Sequence, residues 1–289
     1  MPTECISFKN TNYFSSLICD YLEQKKELHP FYNNFPKPEN FKKQIEEKVL
    51  SNSSRTILSE ALKKQYKNTK ASSKTLQNID VLKQENTFTI TTGHQLNLFT
   101  GPLYFLYKIV STINLTRQLK KEYSGKTFVP IYWMATEDHD FEEINYFNFK
   151  GKKVQWNRNA SGAVGELTTE GLDKVFEVFT KELGVGNNAE SLRRLFQDAY
   201  LKHNNLADAT RFLANALFTE YGLVIIDAND KSLKELFIPF IEDELVNQTS
   251  YKAVTKTNKQ LSELSSINKI QVNPREINLF YLKENLRER

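Results

Sequence analysis

The chain has 289 residues, of which 39% are hydrophobic and 26% are charged, a mixture typical of globular proteins rather than of disordered or membrane-spanning ones. Its 39 basic and 35 acidic residues give a net charge of +4 that is spread along the chain, which argues against a nucleic-acid partner, because such proteins concentrate Lys and Arg on one surface. The two cysteines, Cys5 and Cys19, are too few for a disulfide framework, and the sequence shows neither an export signal nor a stretch long enough to cross a membrane, so we expect a reduced, cytoplasmic protein without membrane contact.

Four successive regions are predicted. Residues 1–75 form an N-terminal helical segment that packs on the core, and apolar residues at helical spacing indicate one or two surface helices within residues 41–74. Residues 76–150 form the first part of a Rossmann-like core, and residues 151–215 form a connecting insert. Residues 216–289 supply a further core strand and then a second insert of helices and strands.

The core is predicted to start with a strand over residues 87–92 that ends at Gly93. The run Thr100-Gly101-Pro102 then starts a helix, with the threonine as its N-cap. The apolar face of this helix comprises Leu103, Leu106, Ile109, Val110 and Ile113. The next strand, residues 128–134, is apolar on both faces, as buried parallel strands are. This βαβ unit predicts an α/β fold with a doubly wound, Rossmann-like core and inserted helices.

The elements after this unit are predicted from turn residues and periodicity. A β-hairpin covers residues 145–156 and turns at Lys150-Gly151, and glycines mark turns through residues 157–189. Helices are predicted for residues 192–221 and 233–264, and strands for residues 222–227, 267–272 and 277–282. Residues 286–289 carry no capping signal, so we expect the chain to be part of a longer protein.

One candidate site lies between the first strand and its helix, in the run Gly93-His94-Gln95-Leu96-Asn97-Leu98-Phe99-Thr100-Gly101-Pro102. Open α/β sheets bind ligands at the carboxyl ends of their strands, and the N–H groups at a helix N-terminus suit a phosphate or a carboxylate. His94 could stabilise a transferring phosphate or act as an acid or base. The run is neither a P-loop nor a GxGxxG motif, so a tight turn with a surface histidine is an equally good interpretation.

A second candidate site follows the second strand, in the run Trp133-Met134-Ala135-Thr136-Glu137-Asp138-His139-Asp140, with Glu142-Glu143 beyond it. Clustered carboxylates perturb one another's pKa, a cost that a functional site tolerates. They could bind an ammonium group, a Mg²⁺-nucleotide or sugar hydroxyls, and the Asp-His-Asp run could hold a divalent metal. Acids are also common at helix N-termini. Because both runs follow strands of one βαβ unit, we favour a shared cleft.

Two later positions are weaker candidates. Arg275, in the run Gln271-Val272-Asn273-Pro274-Arg275-Glu276-Ile277-Asn278-Leu279-Phe280, could clamp a carboxylate or phosphate. An ion pair with Glu276 would explain this arginine at least as well. Asp227 ends the strand at residues 222–227, where it could line the same cleft or simply cap a helix.

These runs carry a family resemblance. Thr92-Gly93-His94-Gln95 with Leu98-Phe99-Thr100-Gly101-Pro102, then residues 130–143, then Asn273-Pro274-Arg275-Glu276 resemble three successive signatures of the bacillithiol-biosynthesis cysteine ligase family. The resemblance spans nearly the whole chain and is weakest in residues 1–70 and 151–202. Many family members carry a second glutamine where this chain has His94, and family members extend well past Arg289.

The resemblance implies a core related to class I aminoacyl-tRNA synthetases and nucleotidylyltransferases. It also implies a coiled coil beyond this chain that supports a homodimer. The implied reaction joins L-cysteine to the amine of glucosaminyl malate, the last step of bacillithiol synthesis, through an activated carboxylate. ATP, with Mg²⁺ accompanying it, is the expected cofactor. The alternatives are a nucleotidylyltransferase-like enzyme acting on another small acid and a non-catalytic scaffold.

On this hypothesis His94, Asp138, His139 and Asp140 are the catalytic residues. His94 holds the nucleotide or an anionic substrate, and the other three bind the ammonium group of cysteine or place a metal or a general base. No residue is predicted specifically as a metal ligand. The predicted substrate- and nucleotide-binding residues are Gly93, Gln95, Asn97, Thr100, Gly101, Pro102, Trp133, Glu137, Asp227, Arg275 and Asn278.

Overall fold

The computed structural model describes residues 4–264, 270–283 and 286–288. Its contacts divide the chain into two compact units. The sheet unit is drawn from residues 50–237 and 281–288, and the terminal unit from the residues before 50 together with residues 238–280. The four-region division made from the sequence stays a prediction.

Helices dominate both units. They are α1 (Ser16–Leu22), α2 (Phe41–Glu47), α3 (Asn52–Gln65), α4 (Ser73–Val81), α5 (Tyr104–Glu122), α6 (Phe141–Ile144), α7 (Leu172–Leu183), α8 (Asn187–Tyr200), α9 (Leu206–Phe218), α10 (Lys231–Glu235), α11 (Ile238–Asn247) and α12 (Thr249–Leu264). The strands are β1 (Thr87–His94), β2 (Thr127–Met134), β3 (Tyr146–Phe149), β4 (Lys152–Gln155), β5 (Val224–Asp227), β6 (Tyr281–Lys283) and β7 (Leu286–Glu288). None of the helices in the described ranges combines the length and apolar character needed to cross a membrane.

The sheet unit contains a parallel three-stranded sheet in the order β1-β2-β5. Helix α5 connects β1 to β2, which confirms the predicted βαβ unit and the α/β class. The central strand β2 is largely buried, as its apolar sequence predicts, and Trp133 is the exception. The register pairs His94 with Met134, and Met134 with Asp227. All three strands therefore end at the same edge of the sheet.

Side chains form hydrogen bonds with the backbone N–H and C=O groups on the outer edge of β5. The Ile225 N–H donates to the Tyr66 hydroxyl at 2.8 Å, and Arg211 donates to the Ile225 carbonyl at 2.8 Å. The Gln65 amide accepts from the Asp227 N–H at 3.0 Å and donates to the Asp227 carbonyl at 2.8 Å. An open edge strand leaves such groups ready to pair with another chain. Here the end of α3, together with α9, closes the edge and fixes the position where β5 ends.

An aromatic cluster anchors the loop after β1. The Phe99 ring centroid lies 4.6 Å from Phe147, 5.1 Å from Phe179, 4.1 Å from Phe196 and 5.0 Å from Tyr200. The Phe99 N–H also donates to the Tyr200 hydroxyl at 3.0 Å. These contacts hold Phe99 at a φ of 54°, a left-handed conformation that is uncommon outside glycine.

The predicted hairpin is confirmed. Strands β3 and β4 pair antiparallel, and the turn residues Lys150 and Gly151 have φ angles of 50° and 76°. Positive φ at both central residues is what a two-residue hairpin turn of type I′ requires. The hairpin brings the end of β3 into the aromatic cluster and places its start beside the sheet edge.

The predicted start of α5 is wrong. The helix begins at Tyr104 with Leu103 as its N-cap residue, and no side chain caps it. Thr100 and Gly101 have φ angles of 68° and 48°, so neither adopts a helical conformation. The aromatic cluster holds the preceding Phe99 left-handed as well, and the chain needs a further turn before the helix can start.

Other predictions also differ from the structure. The helix predicted for residues 192–221 is divided, because Asn205 has an extended backbone and its side chain caps α9 by accepting from the Asp208 N–H at 2.8 Å. Of the strand predicted at 267–272, residues 267–269 lie outside the described part of the chain, and the rest is irregular. There the Val272 carbonyl accepts from the Asn258 side chain at 2.8 Å. The strand predicted at 277–282 begins only at Tyr281.

Candidate active site

A cleft of about 830 Å³, the main cleft, opens at the carboxyl edge of the sheet. Small-molecule sites span roughly 300–1,000 Å³, so the cleft is large enough for one. The loop after β1, the start of α5, helix α6 and strand β3 form its walls. Its lining residues are Gln95, Asn97, Thr100, Gly101, Pro102, Leu103, Tyr104, Leu106, Glu142, Glu143, Tyr146, Phe147 and Asn148.

Gln95 joins the two predicted motifs across the cleft. Its Nε2 donates to Asp138 Oδ2 at 2.8 Å and to Glu143 Oε2 at 2.7 Å. One amide group therefore holds two carboxylates side by side. Two anions in such proximity repel each other, and the pair retains lone pairs that a cation with hydrogen-bond donors could use.

Asp138 is held as an anion. Its Oδ1 accepts from the backbone N–H of His139 at 2.7 Å and of Asp140 at 3.3 Å. Partial burial would raise the pKa of Asp138, but the hydrogen bonds from Gln95 and from the two backbone N–H groups outweigh it, and the pKa lies below its usual range. The same bonds fill both lone pairs of Oδ1 and leave one on Oδ2.

His139 lies between two carboxylates. Its Nδ1 is 3.6 Å from Asp138 Oδ1, and its Nε2 is 3.3 Å from Asp140 Oδ1. Candidate ligand atoms of the three residues all lie within 4.8 Å of one another. Mg²⁺ prefers oxygen ligands in an octahedral arrangement. Since Asp138 has one lone pair to spare and the third ligand is an imidazole, this group fits Mg²⁺ poorly.

His94 is a buried residue rather than a surface one, with 8% of its area exposed. Its ring packs against Tyr104 and Phe105, with centroids 5.2 Å and 5.3 Å away, and its Nδ1 lies 3.0 Å from the Gln95 carbonyl. Burial, helped by the charge of Lys108, lowers the pKa of His94 against the opposing effect of the Gln95 carbonyl and the Asn97 side chain. The histidine packs against the start of α5 and does not line the main cleft.

Asn97 and Gly101 shape the cleft wall. Asn97 Nδ2 donates to the Glu143 carbonyl at 3.1 Å, which ties the loop after β1 to α6, while its buried Oδ1 has no partner. A Cβ on Gly101 would stand 2.3 Å from the Asn97 Cβ. Only glycine therefore fits here, both for this close approach and for its left-handed φ. Thr100 and Pro102 flank this glycine in the lining.

The predicted residues at the end of β5 do not line the main cleft. Asp227 Oδ1 accepts from the Thr136 hydroxyl at 2.5 Å and from the Asn229 N–H at 2.9 Å. Glu137 pairs with Lys234 at 2.7 Å. These groups bind one another and join β5 to the loop after β2. Two more predicted binding residues, Gly93 and Trp133, are register partners whose positions are exposed, and neither lines the main cleft.

Arg275 and Asn278 belong to the terminal unit. There, Asn278 Nδ2 donates to Glu244 Oε1 at 3.4 Å, and the other Glu244 oxygen accepts from the Ser250 N–H at 2.9 Å. A contribution of these two residues to the cleft stays a prediction.

Two smaller pockets adjoin Glu142, and they include residues that were not predicted. One, the amide pocket, has a volume of about 450 Å³ and is lined by Glu142, Asn145, Gln155, Asn157, Arg158 and Asn159. The other, of about 540 Å³, shares Arg158 and Asn159 with it and reaches His139. Apart from Glu142, the residues of the amide pocket belong in the sequence to a hairpin and to a turn-rich stretch without a motif, so no pattern indicated them.

The main cleft by itself is not suited to the phosphates of ATP. None of its described lining residues is Lys or Arg, and two are Glu. A triphosphate would face these acids and would need a cation between. ATP and Mg²⁺ therefore remain predictions, and no step is assigned to them.

The whole sequence, residues 1–289, matches a family described as "Bacillithiol biosynthesis BshC, N-terminal Rossmann-like domain". Proteins named "Putative cysteine ligase BshC" are similar throughout. The one from Flavobacterium johnsoniae is 62% identical over 291 residues, covering 100% of this chain and 54% of the relative. The one from Christiangramia forsetii is 57% identical over 295 residues, with the same coverage of 100% and 54%.

A more distant relative of the same name, from Bacillus cereus, is 30% identical over 265 residues, which cover 83% of this chain and 49% of that protein. The chain thus spans about half the length of the curated relatives that it matches. The family description and the parallel sheet agree on a Rossmann-like α/β fold.

Proposed function

The chain belongs to the bacillithiol biosynthesis BshC family, and on that premise we propose that it is the part of a cysteine ligase that binds L-cysteine in the main cleft for coupling to glucosaminyl malate. The observation that carries the proposal is the pair of carboxylates, Asp138 and Glu143, held by the single amide of Gln95. The relatives' printed name supplies cysteine as the substrate.

An ammonium group suits the space between these two carboxylates. It offers three N–H donors, and Asp138 Oδ2 and the Glu143 carboxylate have acceptor capacity beyond their bonds to Gln95. Charge-assisted hydrogen bonds of this kind contribute about 1.5–3 kcal/mol each. Keeping the amine of cysteine protonated also prevents it from acting as the nucleophile, so that cysteine does not couple to itself.

The coupling forms a C–N bond between the carboxyl carbon of cysteine and the amine nitrogen of glucosaminyl malate. The activating group leaves the carboxyl carbon with its bonding electron pair, and the attacking amine loses a proton. We assign the proton acceptor to His139, because its ring nitrogens lie 3.6 Å from Asp138 Oδ1 and 3.3 Å from Asp140 Oδ1, so that the two carboxylates orient the imidazole. Cysteine is much smaller than the cleft, which leaves room for the activating group.

The remaining parts of the hypothesis concern the longer protein. The use of ATP with Mg²⁺, a homodimer formed through a coiled coil, a cytoplasmic location and kinship to class I aminoacyl-tRNA synthetases stay predictions. A nucleotidylyltransferase-like activity on another small acid and a purely scaffolding role remain the alternatives.

The test is a mass-spectrometric assay of the protein with cysteine and glucosaminyl malate, with and without ATP. We expect product with ATP, and at least about a tenfold lower rate in the Asp138→Asn and Glu143→Gln variants, since each loses one charge-assisted bond to the ammonium group. Full rates in both variants would contradict the assignment of the cleft. Product formed without ATP would contradict the nucleotide requirement alone.

A further inference from the structure

We propose that the amide pocket on the far side of Glu142 binds a polyhydroxylated ligand that bears a carboxylate, the chemical class of glucosaminyl malate. The proposal rests on the proposed function, because it supplies the place for the second substrate. The volume of about 450 Å³ falls within the roughly 300–1,000 Å³ of small-molecule sites.

Four carboxamides line this pocket, from Asn145, Gln155, Asn157 and Asn159. Each presents both a donor and an acceptor, which is the pattern that sugar hydroxyls need, since a hydroxyl is also both. The lining has no large apolar side chain to favour an apolar ligand. Polyols are therefore the ligands that its hydrogen-bonding groups match best.

Asn145 lacks a hydrogen-bond partner on the acceptor side. The residue is 1% exposed, and its Oδ1 has no hydrogen-bond partner. Its Nδ2 donates to Glu142 Oε2 at 3.2 Å, which sets the orientation of the amide. A buried acceptor without a donor is uncommon and costs stability. A ligand hydroxyl that reached it would satisfy it.

Arg158 supplies a positive charge to the amide pocket. It is the one Lys or Arg among the described residues that line the main cleft and the two adjoining pockets. Its guanidinium lies 5.2 Å from the Trp156 ring, and its Nη1 donates to the Thr168 carbonyl at 2.7 Å. These contacts fix the side chain and leave Nη2 without a hydrogen bond to the described residues. A carboxylate is the natural partner for a pre-positioned guanidinium.

The placement connects this pocket to the coupling chemistry. Glu142 lines all three pockets, and the pocket that shares Arg158 with the amide pocket also reaches His139. A ligand anchored at Arg158 can therefore extend toward the proton acceptor and the main cleft. An amine carried by that ligand would arrive beside the bound cysteine.

The test is calorimetric binding of three probes: glucosaminyl malate, malate and methyl glucosaminide. In Arg158→Gln we expect at least about a tenfold weaker affinity for the two carboxylate-bearing probes and a change within about twofold for methyl glucosaminide. The matched control is Arg117→Gln, because Arg117 lies 5.2 Å from the Tyr221 ring in the same way and lines none of these pockets. We expect it to bind all probes as the unaltered protein does.

A second variant tests the proposal independently, in case Arg158→Gln does not fold. Asn157→Asp keeps the size of an exposed lining residue and adds a negative charge. It should weaken both carboxylate-bearing probes severalfold. Unchanged affinities in both variants, an equal loss for methyl glucosaminide in Arg158→Gln, or no binding of any probe by the unaltered protein would overturn the proposal. Cysteine binding, measured separately in the same variants, reports on the main cleft alone.

Discussion

Two junctions at the carboxyl edge of one sheet differ in what their acidic side chains contact. Between β2 and β5 (the closed junction), Asp227 Oδ1 accepts from Thr136 and Asn229, and Glu137 pairs with Lys234. Between β1 and β2 (the open junction), Gln95 draws Asp138 and Glu143 together, and Gln95 and Glu143 line the main cleft. The first arrangement stabilises the chain, whereas the second can hold a ligand.

A strand end alone therefore does not identify a site. Acids end or follow both β2 and β5, and both positions were predicted to line one cleft. At the open junction Glu143 lines the main cleft, whereas Glu137 and Asp227 at the closed junction do not line it. Whether the acids line an open cleft therefore distinguishes the two junctions.

The largest expected effect comes from Gly101→Ala, which would break the open junction through its backbone. The new Cβ would meet Asn97 at 2.3 Å, and φ is +48°, so we expect the free energy of unfolding to fall by about 3 kcal/mol or more. Urea unfolding measures it. Gly125→Ala is the control, because a Cβ there has nothing within 4 Å. Equal stability of the two variants would contradict the described loop.

Glu143→Gln tests whether the junction between β1 and β2 binds cysteine. It removes the charge at the open junction without changing the size of the side chain, so the KM for cysteine should rise about 10- to 100-fold. Steady-state kinetics with varied cysteine measure this change. Glu166→Gln is the control at the closed junction, where Glu166 accepts from Asn229 at 3.2 Å. A KM that rises equally in both variants would mean that the two junctions do not differ in role.

Thr136→Val probes the closed junction. It keeps the shape of a buried side chain but removes the hydroxyl bound to Asp227. We expect a loss of about 1–3 kcal/mol in the free energy of unfolding, because Asp227 is left with an unmet bond, and unchanged activity per folded molecule. The exposed Thr91→Val should cost less than about 0.5 kcal/mol. A stable Thr136→Val variant with impaired catalysis would reverse the assignment.

The smallest effect concerns pH. His94 has a folded-state pKa below the value of about 6.5 of the unfolded chain. At pH values well above about 6.5, His94 is neutral in both the folded and the unfolded state, so it does not make the free energy of unfolding depend on pH. As pH falls below about 6.5, the unfolded chain binds a proton that the folded one resists, so stability is lost at up to about 1.4 kcal/mol per pH unit. The loss ends once pH falls below the folded-state pKa.

His94→Gln should remove this contribution. Urea unfolding at about pH 7.5 and about pH 5.5, values on either side of the unfolded pKa, should show a smaller loss in the variant than in the unaltered protein. At both values Asp138 is ionised in the folded and unfolded states, so it does not obscure the difference. Identical losses in the two proteins would show that His94 is not buried.

The sequence predicts the parts of the fold that local patterns determine. Strands β1 and β2 follow from apolar and β-branched runs, and the hairpin turn follows from Lys150-Gly151. The start of α5 could not be predicted, since Phe99 is held in a left-handed conformation by Tyr200, 101 residues away. The burial of His94 likewise depends on Tyr104 and Phe105, which pack against it only once α5 has its true start.

The candidate site, like the fold, could be predicted only in part from the sequence. Both motifs at the open junction could be found from strand ends and clustered acids. The hydrogen bonds that join the two motifs could not be predicted, because Gln95 lies 43 and 48 residues from Asp138 and Glu143 in the sequence. Arg158 and Asn145 gave no sequence signal, since one arginine and one asparagine near a hairpin are ordinary surface residues until the fold brings them to one pocket.

The most direct test of the amine site compares two ligands in two proteins. Calorimetry would measure the affinities of cysteine and of 3-mercaptopropionate, which lacks the ammonium group, for the unaltered protein and for Glu143→Gln. We predict that cysteine binds at least about tenfold more tightly to the unaltered protein and that most of this preference disappears in the variant. Equal affinities for the two ligands, or a preference that survives in Glu143→Gln, would contradict the account.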